Sequence, residues 1–281
     1  MSQTRAICYQ EPDFDQTDKE EIIENELRKD LKALIENQYH LIRLYDITAY
    51  TETLLKLIYQ EKIPIKVLLG ISFKGEVINQ NTYNNEILKT KDIIFNKREN
   101  QLKVEKLIKL ANEYESIISM VSVGNESQTS WTIQMVSIPE LTKYIKMVKK
   151  ETKALVTYCE NAYFWNTQAS ALAKEVDVVG INLHPFFQNK PFEEAIPYLK
   201  AFVEATKENL GKPVFVSETG YPYQSDNPSI ISNKQIQTSY IEALMKFQNE
   251  TDIQVFIYEA FKRKIRYSLF PHSPYFEIFN R

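Results

Sequence analysis

Residues 214–220 read Val-Phe-Val-Ser-Glu-Thr-Gly, a short apolar run rich in β-branched residues that ends in polar side chains and a glycine. A run of this length and composition is typical of a strand buried in a parallel sheet. Similar runs recur along the whole chain, at 6–9, 40–45, 65–69, 117–123, 154–158, 176–183, 214–217 and 254–258. The sequence therefore predicts eight strands.

Helical patterns separate these runs. In the first of them, apolar residues recur three and four positions apart and so share one face of a helix; they are Ile22, Ile23, Leu27, Leu31, Leu34 and Ile35. Capping-box pairs mark three helix starts: Thr17 with Glu20, Ser137 with Glu140, and Ser232 with Gln235. Strands that alternate with amphipathic helices indicate βα units around a parallel sheet.

The chain has 281 residues, and no Pro/Gly/Ser-rich linker, low-complexity tract or internal repeat divides it, although residues 79–85 are polar enough to form a loop. We therefore expect one domain, residues 1–281. Eight βα units in a chain of this length predict an α/β fold, a single (β/α)8 TIM barrel, with a doubly wound open sheet as the alternative. In both folds ligands bind at the carboxyl ends of the strands.

The composition, 43% hydrophobic and 25% charged, is that of a soluble globular protein. Lys and Arg number 34 against 37 acidic residues and are not clustered, so we expect no nucleic-acid partner. No run of about 18 apolar residues occurs, which predicts no membrane association. Residues 1–5 lack the apolar segment of a leader, so the chain as written is expected in the cytoplasm, and outside it if a leader was removed. We expect a monomer.

Several motifs that would indicate a cofactor or a metal are missing. The six glycines form neither G-x-G-x-x-G nor a P-loop, and residues 70–75 miss the G-x-S-x-G spacing by one position. The three histidines are widely separated, and Cys8 lies far from Cys159. We therefore expect no nucleotide cofactor, no metal site and no disulfide framework, and serine hydrolase chemistry is not supported.

Two glutamates directly follow apolar runs and lie beside scarce glycines: Glu126, after Val-Ser-Val-Gly-Asn at 121–125, and Glu218. They follow the fourth and seventh predicted strands, so in a closed barrel they face one another across the opening. Two converging carboxylates can cleave a glycosidic bond, because one donates a proton to the leaving oxygen while the other attacks the anomeric carbon or activates water. The alternative is that each glutamate stabilises a helix N-terminus or forms an ion pair.

Six short motifs extend this pattern over nearly the whole chain. They are Ile-Cys-Tyr at 7–9, Ile-Arg-Leu-Tyr at 42–45, Val-Gly-Asn-Glu at 123–126, Gly-Ile-Asn-Leu-His-Pro-Phe-Phe at 180–187, Ser-Glu-Thr-Gly-Tyr-Pro at 217–222 and Tyr-Glu-Ala-Phe at 258–261. In these motifs and in their order, the chain resembles glycoside hydrolase family 17. That family comprises the β-1,3-glucanases and β-1,3-glucanosyltransferases within a clan of retaining barrel glycosidases.

The resemblance implies specific roles. Glu126 matches the acid/base, Glu218 matches the nucleophile, and Asn125 matches the residue that binds the 2-hydroxyl of the sugar under attack. The chemistry agrees, because a nucleophile must be ionised and Arg43 on the second strand is placed to stabilise that anion. A general acid keeps its proton through partial burial and through repulsion by the other carboxylate.

Further substrate-binding candidates stand at predicted strand ends or in the loops beyond them: Tyr9, Tyr45, His184, Phe186, Phe187, Tyr221, Tyr258 and Glu259, with Trp165 and Trp131 placed for outer subsites. Sugar rings present faces of C–H groups that pack on aromatic side chains, whereas His and Glu bind hydroxyls. The alternative for the aromatic candidates is packing in the core or under a loop, and for His184 it is a structural role.

The sequence therefore predicts a retaining glycosidase that acts on β-1,3-glucan chains or oligosaccharides of the laminarin type. The alternatives are a β-1,3-glucanosyltransferase, a retaining enzyme for another β-glycan, and a catalytically silent barrel that binds glucan. The chain departs from the family at 262–266, Lys-Arg-Lys-Ile-Arg, where relatives often carry an acidic pair, Pro, Trp and Lys. We expect a solvated turn there, with a subsite for anionic glycans as the alternative.

Overall fold

The computed structural model describes residues 4–12, 14, 18–82, 85–262 and 274–279, with Ser170 described at the backbone alone. Its strands are β1 (Arg5–Cys8), β2 (Tyr39–Leu44), β3 (Lys66–Ile71), β4 (Ile118–Asn125), β5 (Leu155–Asn161), β6 (Val178–Asn182), β7 (Val214–Thr219) and β8 (Val255–Ile257). The α-helices in this part of the chain are α1 (Glu20–Glu36), α2 (Ala49–Gln60), α3 (Thr90–Glu113), α4 (Ile138–Glu151), α5 (Ala162–Thr167), α6 (Ser170–Ala173), α7 (Phe192–Leu210) and α8 (Lys234–Thr251), and a 3₁₀ helix spans Pro185–Gln188.

The eight strands close into a barrel. Each strand pairs in parallel with the next one along the chain, and β1 also pairs with β8, where Ala6 lies opposite Phe256 and Ile7 opposite Ile257. Because the first and last strands are hydrogen-bonded partners, the sheet is not open. The predicted (β/α)8 TIM barrel is confirmed, and the doubly wound alternative is excluded.

Every predicted strand coincides with an observed one, with small differences at the ends. The largest is at the carboxyl end of β5, which runs on to Asn161, beyond the predicted end at 158, and β4 likewise runs on to Asn125, beyond the predicted end at 123. These ends point toward the mouth of the barrel, so the extra residues place polar side chains there.

The predicted helix starts have different outcomes. Ser137 does cap α4, since its hydroxyl accepts from the Glu140 amide. At α8 the prediction is wrong by one residue, because Asn233, not Ser232, accepts from the N3 amide, that of Ile236. Helix α1 begins at Glu20, and Thr17 lies outside the described residues. No helix in the described part of the chain has the length and apolar character needed to cross a membrane.

The core has an inner and an outer layer. Successive residues of a strand point to opposite faces, so Ala6 and Cys8 of β1 lie in the interior cluster, while Ile7 joins the layer between strands and helices. Tyr9 continues this alternation and also packs in the outer layer. Burial of each large apolar side chain contributes about 1.5–3 kcal/mol, and these layers fix the strand ends that carry the polar residues of the mouth.

Candidate active site

Glu218, near the end of β7, accepts hydrogen bonds on both carboxylate oxygens. Tyr45 Oη lies 2.6 Å and Arg43 Nη1 3.2 Å from Oε2, and His184 Nε2 lies 2.9 Å from Oε1. Since an ionised carboxylate only accepts, Nε2 of His184 carries the proton in this contact. Burial alone would raise the pKa of Glu218, but His184, Arg43 and Tyr45 together lower it to about 2. Glu218 is therefore an anion at neutral pH.

Arg43 is held in place by contacts that use both terminal nitrogens. Nη1 donates to the Ser217 carbonyl at 2.8 Å as well as to Glu218, and Nη2 donates to Asn125 Oδ1 at 2.6 Å. Its guanidinium also stacks over the Tyr45 ring, 4.4 Å from the centroid. The side chain is 1% exposed, and a buried, rigid positive charge of this kind stabilises the anion of Glu218.

Glu126, directly after β4, lies in the opposite electrostatic environment. Burial and the negative charge of Glu218 raise its pKa, and the hydrogen bond from Asn182 Nδ2 to its Oε1, 3.0 Å long, lowers it only partly. The carboxyl group therefore keeps its proton to a higher pH than an exposed glutamate does. A pair of carboxyl groups with opposed pKa shifts is the pattern that separates a nucleophile from a general acid.

Asn182 connects the residues around the two carboxyl groups by hydrogen bonds, and the sequence analysis assigned it no role. Its Nδ2 donates to Asn125 Oδ1 at 3.1 Å and to Glu126, while its Oδ1 accepts from Arg43 Nη1 at 3.2 Å and from Ser217 Oγ at 2.7 Å. The signal that could have found it is its place in the motif at 180–187, at the last position of β6.

Asn125 is oriented by the same network. Its Oδ1 accepts from both Arg43 and Asn182. The amide thus offers Nδ2 as a donor to a ligand, which is the orientation needed to bind a sugar hydroxyl.

Glu126 directly follows a strand with one inserted residue, and Glu218 lies within another. Four residues of β4, 122–125, lie opposite three residues of β5, 157–159. In the same way, four residues of β7, 216–219, lie opposite three residues of β8, 255–257. Such a β-bulge breaks the alternation of faces and re-aims the side chains that follow. In β4 the bulge includes Gly124, whose φ of 101° is readily adopted only by glycine.

Tyr45, His184 and Tyr258 also lie in or beside this group, and their contact with substrate stays a prediction. The His184 ring contacts the Tyr258 ring edge-on at 5.2 Å, and Tyr258 is half-buried. Glu259 follows it in the chain and is 2% exposed, so its side chain has almost no surface for a sugar, and its predicted contact with substrate is corrected.

Four predicted sugar contacts lie in the core instead, so those predictions are corrected. Tyr9 is 1% exposed, and its hydroxyl donates to Asp30 on α1; Trp165 is 1% exposed, and its Nε1 donates to the Gly180 carbonyl. Phe186 and Tyr221, 3% and 1% exposed, pack edge-on against each other. These side chains have almost no surface for a sugar ring, and the structural alternative holds for each of them.

Two other aromatic side chains are open to solvent. Trp131, in the loop after β4, is 60% exposed, and Phe187, in the 3₁₀ helix after β6, is 52% exposed. Both follow carboxyl ends of strands, on the face of the barrel where Glu126 and Glu218 lie.

Beyond β8, Lys262 is exposed and its ammonium lies 4.5 Å from the Tyr275 ring. The rest of the predicted basic turn, Arg263, Lys264 and Arg266, falls outside the described residues.

A third carboxyl group, that of Glu160 on β5, is fully buried near the site. Burial raises its pKa to about 7, although hydrogen bonds from Tyr158, Asn161 and Gln128 act in the opposite direction. Within the described part of the chain, no group of three or more His, Cys, Asp or Glu side chains is placed to hold a metal ion.

The closed barrel, with two carboxyl groups of opposed acidity at its carboxyl-terminal mouth, is the architecture of a glycoside hydrolase domain. Residues 6–269 match the family described as the BtgE/BtgC glycoside hydrolase domain, and the chain belongs to that family.

Similar proteins agree with this class. A probable β-glucosidase btgE of Aspergillus terreus is 30% identical over 137 residues, which make up 46% of this chain and 24% of that relative. The chain thus matches about a quarter of the relative's length.

Two solved structures share the fold. An endo-laminarinase from Formosa Hel1_33_131 has a TM-score of 0.80 at 16% identity, over 98% of this chain and 83% of the other. A glycoside hydrolase family 17 β-1,3-glucanosyltransferase from Rhizomucor miehei has a TM-score of 0.72 at 16% identity, over 100% and 94%. The predicted glycoside hydrolase barrel is confirmed, while membership of family 17 itself stays a prediction.

Proposed function

We propose that this protein is a retaining glycosidase that cleaves β-1,3-glucan chains or oligosaccharides by double displacement, with Glu218 as nucleophile and Glu126 as acid/base. The observation that carries the proposal is the opposed acidity of the two carboxyl groups. The pKa of Glu218 is lowered to about 2 by its donors, and that of Glu126 is raised by burial and by the charge of Glu218. One is therefore ionised and the other protonated over a shared range of pH.

In the first step Glu218 attacks the anomeric carbon and forms a glycosyl ester. The bond from that carbon to the leaving oxygen breaks, its electron pair stays on the oxygen, and the proton of Glu126 neutralises it. Asn125 presents Nδ2 to the 2-hydroxyl of the attacked sugar, since its Oδ1 is taken by Arg43 and Asn182. Hydrogen bonds at this hydroxyl strengthen in the transition state.

In the second step Glu126 acts as a base instead of an acid. Formation of the ester removes the charge of Glu218, and with it the repulsion that raises the pKa of Glu126. Having given up its proton, Glu126 therefore stays ionised, and its carboxylate takes a proton from water or from an acceptor sugar as that oxygen attacks the anomeric carbon. The bond from this carbon to the Glu218 oxygen breaks, and its electron pair returns to the Glu218 carboxylate. Two inversions at one carbon give a product with the original β configuration.

The substrate class is supported by two structural neighbours, one an endo-laminarinase and the other a β-1,3-glucanosyltransferase. The exposed rings of Trp131 and Phe187, beyond the carboxyl ends of β4 and β6, offer platforms for sugar units. The neighbours differ in whether water or a sugar accepts the glycosyl group, so hydrolysis and transfer are both outcomes of the test, as is action on another β-glycan.

The experiment is incubation of the purified chain with laminarin and with defined β-1,3-, β-1,4- and β-1,6-linked oligosaccharides, with every product identified. We expect cleavage or transfer on the β-1,3 series, and losses of about a thousandfold or more in Glu126→Gln and Glu218→Gln. A glutamate outside the site, Glu76, serves as control in Glu76→Gln. Wild-type activity on no β-glycan, or equal losses in all three variants, would contradict the proposal.

A further inference from the structure

The loop that begins at Glu126 is hydrogen-bonded to the buried carboxylate of Glu160. On one side, Oε2 accepts from the Tyr158 hydroxyl at 2.6 Å and from the Gln128 amide at 2.9 Å. On the other side, Oε1 accepts from the backbone amide of Asn161 at 2.9 Å and from its Nδ2 at 2.7 Å. All four partners are donors, so the site requires a group that accepts on both oxygens, as a carboxylate does.

Three successive backbone amides of the loop are bound by β5. The amide of Glu126 donates to the Cys159 carbonyl at 3.0 Å, and that of Ser127 to the Tyr158 hydroxyl at 2.9 Å. The amide of Gln128 completes the series at Glu160. Tyr158 is both acceptor and donor here, so the Ser127 contact depends on the carboxylate that orders the tyrosine.

The backbone at Glu126 needs this support. Its φ of 48° is in the left-handed region, which is strained for a residue with a Cβ. A residue in such a conformation persists when its surroundings fix it. On the C-terminal side, the amides of Ser127 and Gln128 are two of the points that fix it, and both depend on Tyr158 and Glu160. The carbonyl of Ser127 adds a third, because it accepts from the Val136 amide.

We propose that Glu160, acting directly and through Tyr158, is a positioning residue that holds the Glu126–Gln128 backbone so that the Glu126 carboxyl group meets the leaving oxygen. The proposal rests on the acid role of Glu126 proposed above. Glu160 is fully buried, so it acts on the reaction through the loop and without touching the sugar.

The test compares kcat/KM on two aryl β-laminaribiosides, one with a phenyl and one with a 2,4-dinitrophenyl leaving group. Departure of phenol needs a proton from Glu126, whereas departure of dinitrophenolate does not. In Glu160→Gln, the side-chain NH2 group replaces one oxygen and faces two donors, to which it cannot bond. In Tyr158→Phe, the backbone amide of Ser127 loses its acceptor. We expect each variant to lose about tenfold or more on the phenyl substrate and less than about threefold on the dinitrophenyl substrate.

The chain supplies a matched control pair. Glu76, 6% exposed, accepts from the Tyr144 hydroxyl at 2.7 Å and from Asn100 Nδ2 at 2.8 Å, and its carboxylate does not contact residues 126–128. We expect Glu76→Gln and Tyr144→Phe to lower the melting temperature but to change kcat/KM by the same factor on both substrates.

Losses in Glu160→Gln and Tyr158→Phe that are equal on the two substrates would overturn the proposal. If Glu160→Gln does not fold, Tyr158→Phe decides alone, since it removes one hydroxyl. Glu126→Gln is measured alongside. If the loss depends on the leaving group in Glu126→Gln but not in the Glu160 and Tyr158 variants, the positioning role alone is rejected. If the loss in Glu126→Gln does not depend on the leaving group, the acid role itself is rejected.

Discussion

Glu126 and Glu218 carry the same side chain, and their neighbours make one an acid and the other an anion. Three donors surround the carboxylate of Glu218, whereas Glu126 has one donor on Oε1 and faces a negative charge. Hydrogen bonds to a charged group are worth roughly 1.5–3 kcal/mol each, enough to move a carboxyl pKa by one unit or more. The division of labour follows from these contacts.

The contact from His184 is the first to test. In His184→Phe, the ring still packs against Phe187 and Tyr258, but Glu218 loses a donor, so its pKa rises from about 2. Because the ionised form is the reactive one, the acidic limb of kcat/KM against pH moves to higher pH, by about one unit. The profile of kcat/KM against pH is the measurement.

Tyr45→Phe should move the same limb in the same direction by a smaller amount, because it removes a weaker donor. Tyr9→Phe is the control, since the Tyr9 hydroxyl bonds to a different carboxylate, that of Asp30, at 2.9 Å. A limb that stays in place in His184→Phe, or that moves in Tyr9→Phe, would show that these donors do not set the acidity of Glu218.

Chemical rescue distinguishes the two glutamates. Glu126→Ala should regain turnover on a dinitrophenyl substrate when azide is added, because the leaving group needs no proton and azide replaces the activated water. Glu218→Ala lacks the attacking atom, so a better leaving group should not restore it. Product analysis by NMR checks the result, and the reverse pattern would mean that the two roles are exchanged.

At this scale the sequence predicted which two carboxylates the barrel brings to its mouth, but not which of the candidate aromatic side chains are buried in the core. The glutamates stand out because each follows an apolar strand and lies beside a scarce glycine. Tyr9 also ends an apolar run, yet strand alternation places it with Ile7 on the helix side. The role of Asn182 depends on β2, β4, β6 and β7 meeting at one point, which no linear pattern shows.

At the scale of elements, the bulges in β4 and β7 and the loops beyond them shape the mouth. The apolar runs predicted both strands but gave no sign of the inserted residue, because a bulge is defined by its partner strand. The loops after β3 and β4 are joined directly, since the Glu76 amide donates to the Met135 carbonyl at 2.8 Å. Asn79 Nδ2 adds a bond to the Ser130 carbonyl at 2.7 Å.

Gly75 lies at the closest approach of these two loops. A Cβ there would lie 1.7 Å from the Ile133 carbonyl oxygen, so Gly75→Ala must push the β4 loop away from the β3 loop. We expect a loss of about 3 kcal/mol in the free energy of unfolding and a fall in kcat/KM, because the displaced loop begins at Glu126. Thermal unfolding and kinetics on laminarin measure the two effects.

Gly211→Ala is the matched control for that prediction. Gly211 ends α7 with a φ of 58°, and an added Cβ meets nothing within 4 Å. The variant should lose about 1–2 kcal/mol from backbone strain and leave kcat/KM unchanged. Equal effects of the two substitutions would mean that the loop contact does not support the site.

At the scale of the whole molecule, the pairing of β1 with β8 makes the site dependent on every strand. Residues from β2, β4, β6 and β7 meet around the two carboxyl groups, so their positions rely on barrel closure. This architecture was the most predictable feature, because eight apolar runs separated by helical patterns in one chain leave few other arrangements.

We therefore predict that the chain unfolds as one unit, as the single-domain assignment requires. Far-ultraviolet circular dichroism follows the helices, and near-ultraviolet circular dichroism follows the packed aromatic side chains. Their thermal transitions should coincide. Two separate transitions would contradict the assignment of residues 1–281 to one domain.

The central claim is that Glu218 forms a covalent bond to the sugar, and a trapped intermediate tests it most directly. A 2,4-dinitrophenyl 2-deoxy-2-fluoro-β-laminaribioside forms the glycosyl ester but slows its hydrolysis, because fluorine destabilises both oxocarbenium-like transition states while the leaving group compensates in the first step. Mass spectrometry of the digested protein should find one added disaccharide unit on Glu218, and Glu218→Gln should remain unlabelled. A label on another carboxylate would contradict the assignment. So would a wild-type enzyme that is active on laminarin but is neither labelled nor inactivated by the fluorinated substrate.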